Sequence, residues 1–212
     1  MNPPAPALYR RLLGDAWDTV PAPVRQMHEL PYCGGGAVVA DGVAMVERGR
    51  GLLARLVAAL FGFPPAGREI PVTVEFDVQD GIEHWRRTFA GHSFASTQEA
   101  GQGRIAHLLC ERFGPLAIGI VLVPDREKLG FEVRSWSLLG LPLPLAVAPR
   151  GNSYEHDDGG RFGFHIEIRH GLTGLIVAYR GWLVPRRFGG DELQAAAPAQ
   201  VPGTLVRAGR SA

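Results

Sequence analysis

Three side chains in the strand-forming part of the chain are of the types that acid–base chemistry uses: Glu75, His165 and Glu167. Each sits in a segment that alternates with a period of two. Glu75 has the opposite parity to Val72, Val74 and Phe76, and His165 and Glu167 the opposite parity to Phe164 and Ile166. If they converged inside a barrel, burial would move a carboxylate or imidazole pKa toward neutrality, where general acid–base catalysis operates. On an outer face the same residues would form cross-strand pairs with arginine, each contributing little. Alternation leaves both readings open, and a solvated polar face is common for antiparallel sheets.

Arginine and tryptophan also recur together. Trp85 shares a face with Arg87, Arg134 with Trp136, and Arg180 with Trp182. An arginine stacked on tryptophan with its fork free can hold a carboxylate or phosphate head group. The alternative is cross-strand packing. These pairs, with Glu75, His165 and Glu167, are the candidate ligand-binding residues; the pattern assigns none of them a catalytic role.

Other chemistries find less support. His156 beside Asp157 and Asp158 does not supply the three or four converging donors that a metal needs, so no metal site is expected. There is no Gly-x-Ser-x-Gly elbow. Gly34-Gly-Gly36 lacks the Gly-Lys-Ser/Thr of a phosphate loop. No cofactor is expected. The 22 basic and 21 acidic side chains leave a formal charge of +1, without the basic excess that tracking nucleic acid requires.

The elements that would position these side chains follow from periodicity. Leu8, Leu12 and Leu13 mark a short amphipathic helix, and Val24, Met27, His28 and Leu30 a second, between Pro23 and Pro31. Such a pair would cap one end of a sheet. Gly34-Gly-Gly36 reads as a flexible joint. Asp41-Gly42 between two β-rich runs predicts a hairpin. Leu52, Leu53, Leu56, Val57, Leu60 and Phe61 form the strongest helical stripe, ended by Gly62 and Pro64-Pro65. That helix is either the core helix of a curved sheet or, with Arg48, Arg50 and Arg55 nearby, a membrane-surface or partner helix.

From Ile70 to Val184 the period is two, with turns at Gln79–Gly81, Gly91, Gly101–Gly103, Gly114-Pro115, Pro124-Asp125, Asp157–Gly160 and Gly171–Gly174. Short connections force antiparallel neighbours, and the absence of βαβ alternation excludes a parallel nucleotide-binding sheet. Nine or ten strands in a meander should curl into a barrel or half-barrel. The longest interruption is Leu138-Leu-Gly-Leu-Pro-Leu-Pro-Leu-Ala-Val-Ala-Pro149, whose prolines and glycine forbid regular structure. It is either a buried crossover, or an entrance lip or docking surface for a membrane or partner.

The expected architecture is α+β: one domain over 8–185, made of short N-terminal helices, one amphipathic helix and a long antiparallel meander curled into a barrel or half-barrel. A disordered tail is expected over 186–212. An apolar content of 46% with 20% charged residues is that of a soluble globular protein. The N-terminus has no secretory pattern, and no apolar run is long enough to span a membrane. Cys33 and Cys110 read as reduced thiols of a cytoplasmic protein.

Leu8-Tyr-Arg-Arg-Leu-Leu-Gly14, Gly51-Leu-Leu-Ala-Arg-Leu56 running on to Leu60-Phe-Gly-Phe-Pro-Pro65, Phe113-Gly-Pro-Leu116, Leu139-Gly-Leu-Pro-Leu-Pro144 and Tyr179-Arg-Gly-Trp-Leu183 together resemble a bacterial domain family of unknown function. In that family the domain stands alone or follows a saccharopine-dehydrogenase-like reductase domain. The resemblance covers about 8–185 and implies no catalytic residues. The reductase fusion implies a small apolar or lipid-like metabolite. Three functions therefore stand: a module binding a hydrophobic or lipid-like small molecule in the sheet's concavity, an isomerase- or cyclase-type enzyme acting on a small apolar metabolite through Glu75, Glu167 or His165, or an interaction domain for a reductase partner.

Overall fold

The computed structural model describes residues 6–33 and 36–186. The expected tail over 186–212 lies outside the described residues except for Arg186, as does the glycine joint except for Gly36.

The elements run α1 (Leu8–Leu13), a 3-10 turn (Gly14–Thr19), α2 (Ala22–Cys33), β1 (Val38–Arg48), α3 (Leu52–Leu60), β2 (Gly67–Gln79), β3 (Ile82–Phe89), β4 (His92–Ala100), β5 (Leu109–Phe113), β6 (Leu116–Pro124), β7 (Lys128–Leu138), β8 (Leu141–Pro142), β9 (Ser153–Asp158), β10 (Arg161–His170) and β11 (Gly174–Pro185). Each long strand pairs antiparallel with the next, the short β8 folds back on the end of β7 while β7 pairs directly with β9, and β11 returns to pair with β1. The result is a closed ten-stranded antiparallel barrel with three short helices, mostly β in content.

Alternation decides what faces the interior. Val72, Val74 and Phe76 of β2 are buried inside, as are Trp85 and Phe89 of β3, Phe94 of β4, Leu109 of β5, and Phe162 and Phe164 of β10. The opposite parity carries Thr73, Glu75, Arg86, Thr97, Arg112 and Arg180 on the outside. That polar exterior is the reverse of the apolar outer band of a membrane-spanning barrel. No described helix is long and apolar enough to cross a membrane.

Asp41-Gly42 is not a hairpin turn. It lies inside the continuous strand β1, which pairs with β2 on one side and β11 on the other. Glycine is needed there for close approach: a Cβ on Gly42 would lie 1.7 Å from the Trp182 carbonyl oxygen. Asp41 accepts a hydrogen bond from Thr73 Oγ1 at 2.7 Å and also bonds Arg186, so its polarity is used laterally across strands.

Because the strands alternate in direction, the connections sort to two ends. One end gathers the turns 79–82, 100–109, 124–128 and 158–161 and is covered by α1 and α2. We call it the closed end. The open end gathers α3, the turns 89–92, 113–116 and 170–174, and the segment 138–153.

The third helix packs on the barrel with only part of its predicted stripe turned inward: Val57 and Phe61 pack against the core, but the leucines do not. Ala54 and Ala58 are buried, whereas Leu52, Leu56 and Leu60 are 84%, 66% and 79% exposed. The reason is the narrow space beneath the helix. Gly49 sits so close to the Leu175 carbonyl that a Cβ would come within 1.8 Å of it, and the same Cβ would lie 2.8 Å from Ala54 Cβ. At this contact only the alanines fit, while Val57 and Phe61 turn toward the barrel's interior and Leu52, Leu56 and Leu60 are left outside. Arg48 donates from Nη1 to the Phe63 and Pro64 carbonyls, both at 2.7 Å, and fixes the chain's return to β2.

The apolar segment after β7 is not a buried crossover either. Leu139 and Leu141 are 77% and 68% exposed, and only Ala148 of the stretch is fully buried. The segment is nonetheless ordered by hydrogen bonds: the Leu139 N–H donates to the Pro115 carbonyl (2.8 Å), the Leu143 N–H to the Trp136 carbonyl (3.1 Å), and Trp136 Nε1 to the Pro144 carbonyl (3.0 Å).

Candidate functional site

The barrel encloses a cavity of about 490 Å³, within the range of small-molecule sites. Its wall is mainly apolar: Val72, Val74, Phe89, Ile118, Ile120, Phe131, Phe164 and Ile176 from the strands. Val57, Phe61 and Phe63 approach it from the α3 side, and Leu145, Ala148 and Pro149 from the apolar segment. The mouth therefore lies at the open end. At the far end the wall includes Tyr9, Trp85, Gln98 and Glu155, beneath α1 and α2.

A small polar cluster interrupts the apolar wall. Arg87 donates from Nη1 to Ser96 Oγ at 2.8 Å and from Nη2 to Glu111 Oε1 at 3.4 Å, and the Ser96 hydroxyl donates to the same Glu111 oxygen at 2.7 Å. The Arg87 and Glu111 side chains are only 15% and 13% exposed. The guanidinium carbon lies 5.2 Å from the Trp85 ring centre and 5.7 Å from that of Phe94, which holds the fork in place. The two bonds use two of five guanidinium donors.

At the closed end a second polar network seals the barrel. His28 Nε2 lies 2.8 Å from Glu155 Oε2, and the imidazole stacks on Tyr9 at 3.7 Å between ring centres. The Tyr9 hydroxyl donates to Gln98 Oε1 at 3.0 Å. Glu83 accepts from the Tyr32 hydroxyl (2.9 Å) and from Trp85 Nε1 (3.0 Å), and the Tyr32 oxygen accepts the Leu8 N–H (3.2 Å). Burial alone would push the His28 imidazole down; the Glu155 charge and hydrogen bond, with the Glu83 charge, outweigh it and raise its pKa. Burial raises the Glu83 carboxyl against the lowering pull of His28, Trp85 and Tyr32. Burial, with the Glu155 and Glu83 charges, holds the Tyr9 hydroxyl well above its ordinary value. These groups tie α1 and α2 to β3, β4 and β9.

Of the residues singled out in the sequence, Trp85 and Arg87 face the cavity together. Glu75 stands on the outer face, 3.9 Å from Arg86. His165 is also on the outer face, stacked on Tyr154 at 5.0 Å between ring centres, with burial pulling its pKa down. Glu167 reaches the cavity's rim but is bonded to Arg169 at 2.8 Å, a bond that lowers its pKa. Glu75, His165 and Glu167 thus do not converge in one pocket, and an acid–base site built on them has no geometry. Arg134 is exposed and pairs with Glu132, which reaches the edge of the cavity's lining. Trp136 holds the apolar segment through Pro144. Arg180 lies outside, 3.7 Å from Glu47. Trp182 is stacked, with Arg161 rather than Arg180 over its ring at 4.2 Å.

Sequence reasoning passed over Ser96, Gln98, Glu111 and Glu83. Each is a polar residue on an apolar parity: Ser96 and Gln98 with Phe94, Glu111 with Leu109 and Phe113, Glu83 with Trp85. That mismatch is the signal that marks them.

No group of three or more His, Cys, Asp or Glu able to hold a metal occurs among the described residues. Comparison with curated proteins and with solved structures finds no match. One family model, described as Domain of unknown function (DUF4166), does match, over residues 20–183, from the start of the closed-end helix α2 to the last strand of the barrel. The chain belongs to that family.

Proposed function

We propose that the barrel is a binding module for a hydrophobic or lipid-like small molecule, held with its apolar body along the cavity and its polar end at Arg87. The supporting observation is the pairing of an apolar cavity of about 490 Å³ with the anchored guanidinium of Arg87 inside it, the other lining arginine, Arg150, belonging to the open-end segment. The cavity's charge argues for the kind of head group. Arg87 is already neutralised by Glu111, and Glu155 stands further in. An anionic head would meet these carboxylates in a medium of low dielectric, where like charges repel strongly. A neutral oxygen function, such as a hydroxyl, ketone or ester, would accept from Arg87 without that penalty.

Native mass spectrometry of freshly purified protein, with organic extraction, tests the reading. The expected result is a neutral apolar molecule bound one to one, and tighter rebinding of a long-chain alcohol than of the carboxylic acid of equal length. An empty cavity that takes up neither compound would sink it.

One observation favours a second reading, an enzyme of isomerase type. Glu155 lines the cavity and is backed by buried His28, so a carboxylate–imidazole pair would face a bound ligand. Incubation of the extracted ligand with the protein in heavy water tests this. Deuterium appearing in the ligand with wild type and not with Glu155→Gln supports proton abstraction, and no incorporation with either excludes it.

A further inference from the structure

We propose that the open end of the barrel is a docking surface for an anionic lipid membrane, placed so that the cavity mouth opens against the bilayer. Leu52, Leu56 and Leu60 of α3 project outward from the mouth. Leu139 and Leu141 project from the 138–149 segment across it, and Leu172 (81% exposed) from the turn between β10 and β11 at the same end. Isolated exposed leucines need no explanation, but leucines gathered around one opening do.

Two features show that this display is built. The first is α3 itself, whose alanines face the barrel while its leucines face out, so its packing gives the leucines no shelter. The second is Leu139, held at φ of 53° and followed by Gly140 at 79°. Leucine in the left-handed region costs on the order of 1 kcal/mol, and here the strain is not offset by burial. It places a leucine at the tip of an ordered two-residue turn.

Charge identifies the occupant. The connecting segments and strand starts of the open end carry exposed Arg50, Arg55, Arg68 and Arg150 against the acidic Glu69. None of these arginines forms an ion pair among the described residues. At the closed end the turns and strand starts are balanced, Asp80, Asp125, Glu127 and Asp158 against Arg104, Arg126, Lys128 and Arg161, and α1 and α2 mix both signs. Exposed leucines sharing one end with arginines that have no ion pair among the described residues match the interface of a bilayer with anionic head groups: the leucines enter the acyl boundary and the guanidiniums meet phosphates. A protein partner of ordinary mixed charge would leave that cationic excess unmatched.

The inference goes beyond the cavity's content and is tested without a ligand. Flotation with phosphatidylcholine vesicles, alone or mixed in equal parts with phosphatidylglycerol, reads docking itself. Wild type is expected to bind the anionic vesicles about tenfold or more better than the neutral ones, with the preference shrinking as salt is raised. Leu56→Ser with Leu60→Ser, both exposed and so neutral for folding, should weaken binding to anionic vesicles by about tenfold or more. Arg50→Ser with Arg55→Ser should lose about tenfold on anionic vesicles and little on neutral ones. A cavity-filling Ile118→Trp variant should still float, which separates failure of docking from failure of the binding-module reading. Wild type that does not float, or floats no better than the leucine variant, overturns the proposal. So does a wild-type dimer in sedimentation that the leucine variant abolishes, because the face would then belong to a second copy.

Discussion

The two ends of the barrel use similar residues to opposite effect. At the closed end, α1 and α2 bring Leu8, Tyr9, Val24 and Met27 into full burial and carry His28 and Tyr32 to partners on the strands. At the open end, a helix with a more continuous apolar stripe buries its alanines and exposes its leucines. Helical amphipathicity therefore does not decide which face is covered. The depth of the seat does, and beside Ala54 it is shallow because Gly49 and the Leu175 carbonyl already fill it.

Substitutions should separate the ends clearly. Tyr9→Ala removes a buried ring stacked on His28 and orphans Gln98, and should cost about 3–5 kcal/mol in urea unfolding. A loss below about 1 kcal/mol would mean that the closed end is not the stabilising one. Between the ends, Glu111→Leu leaves the Arg87 charge in the cavity with Ser96 alone and should cost roughly 1–3 kcal/mol. The double variant Arg87→Met with Glu111→Leu should recover most of that loss, because removing both partners leaves no buried charge. If it does not, the cluster's contribution is shape rather than charge.

The pH dependence points the same way. The folded His28 imidazole titrates above its ordinary 6.5 because Glu155 and Glu83 outweigh the downward pull of burial. Its contribution is therefore complete below 6.5 and lost as pH rises through the folded value. Burial also holds Glu83 above its ordinary 4.5, so its ionisation weakens the fold as pH rises above 4.5. Wild type should lose stability relative to His28→Gln as pH rises above 6.5, as read from urea midpoints at successive pH values. A parallel pair of profiles would show that the network does not titrate. The smallest effect belongs to the open end: Leu56→Ala should change stability by no more than about 0.5 kcal/mol.

Much of the barrel could be read from the chain. The period of two and the short turns specify an antiparallel meander that must curl, because so many twisted strands cannot stay flat, but they do not choose between a half-barrel and the closed barrel, since the β11–β1 pairing joins strands far apart in sequence. The Leu-Pro segment stood out as the longest break in that meander, and the cavity mouth lies beside it. The site was only half legible. Trp85 and Arg87 share the buried parity of Phe89, whereas Arg134 and Arg180 follow the outer one, and an arginine–tryptophan pairing cannot tell inside from outside. Glu111 was missed because a carboxylate on an apolar parity reads as noise until its partner across two strands is known. The α3 orientation and the unbroken β1 depend on close contacts at Gly49 and Gly42, which arise from strands distant in sequence.

Fluorescence energy transfer from tryptophan to N-phenyl-1-naphthylamine, a neutral apolar probe, measures whether the cavity takes a ligand. Trp85 in the cavity wall is the donor placed to report it. Wild type should show saturable one-to-one binding, displaced by a long-chain alcohol and strongly weakened by the cavity-filling Ile118→Phe, which adds no donor. Equal transfer in wild type and Ile118→Phe, or none in either, would contradict a ligand-binding barrel.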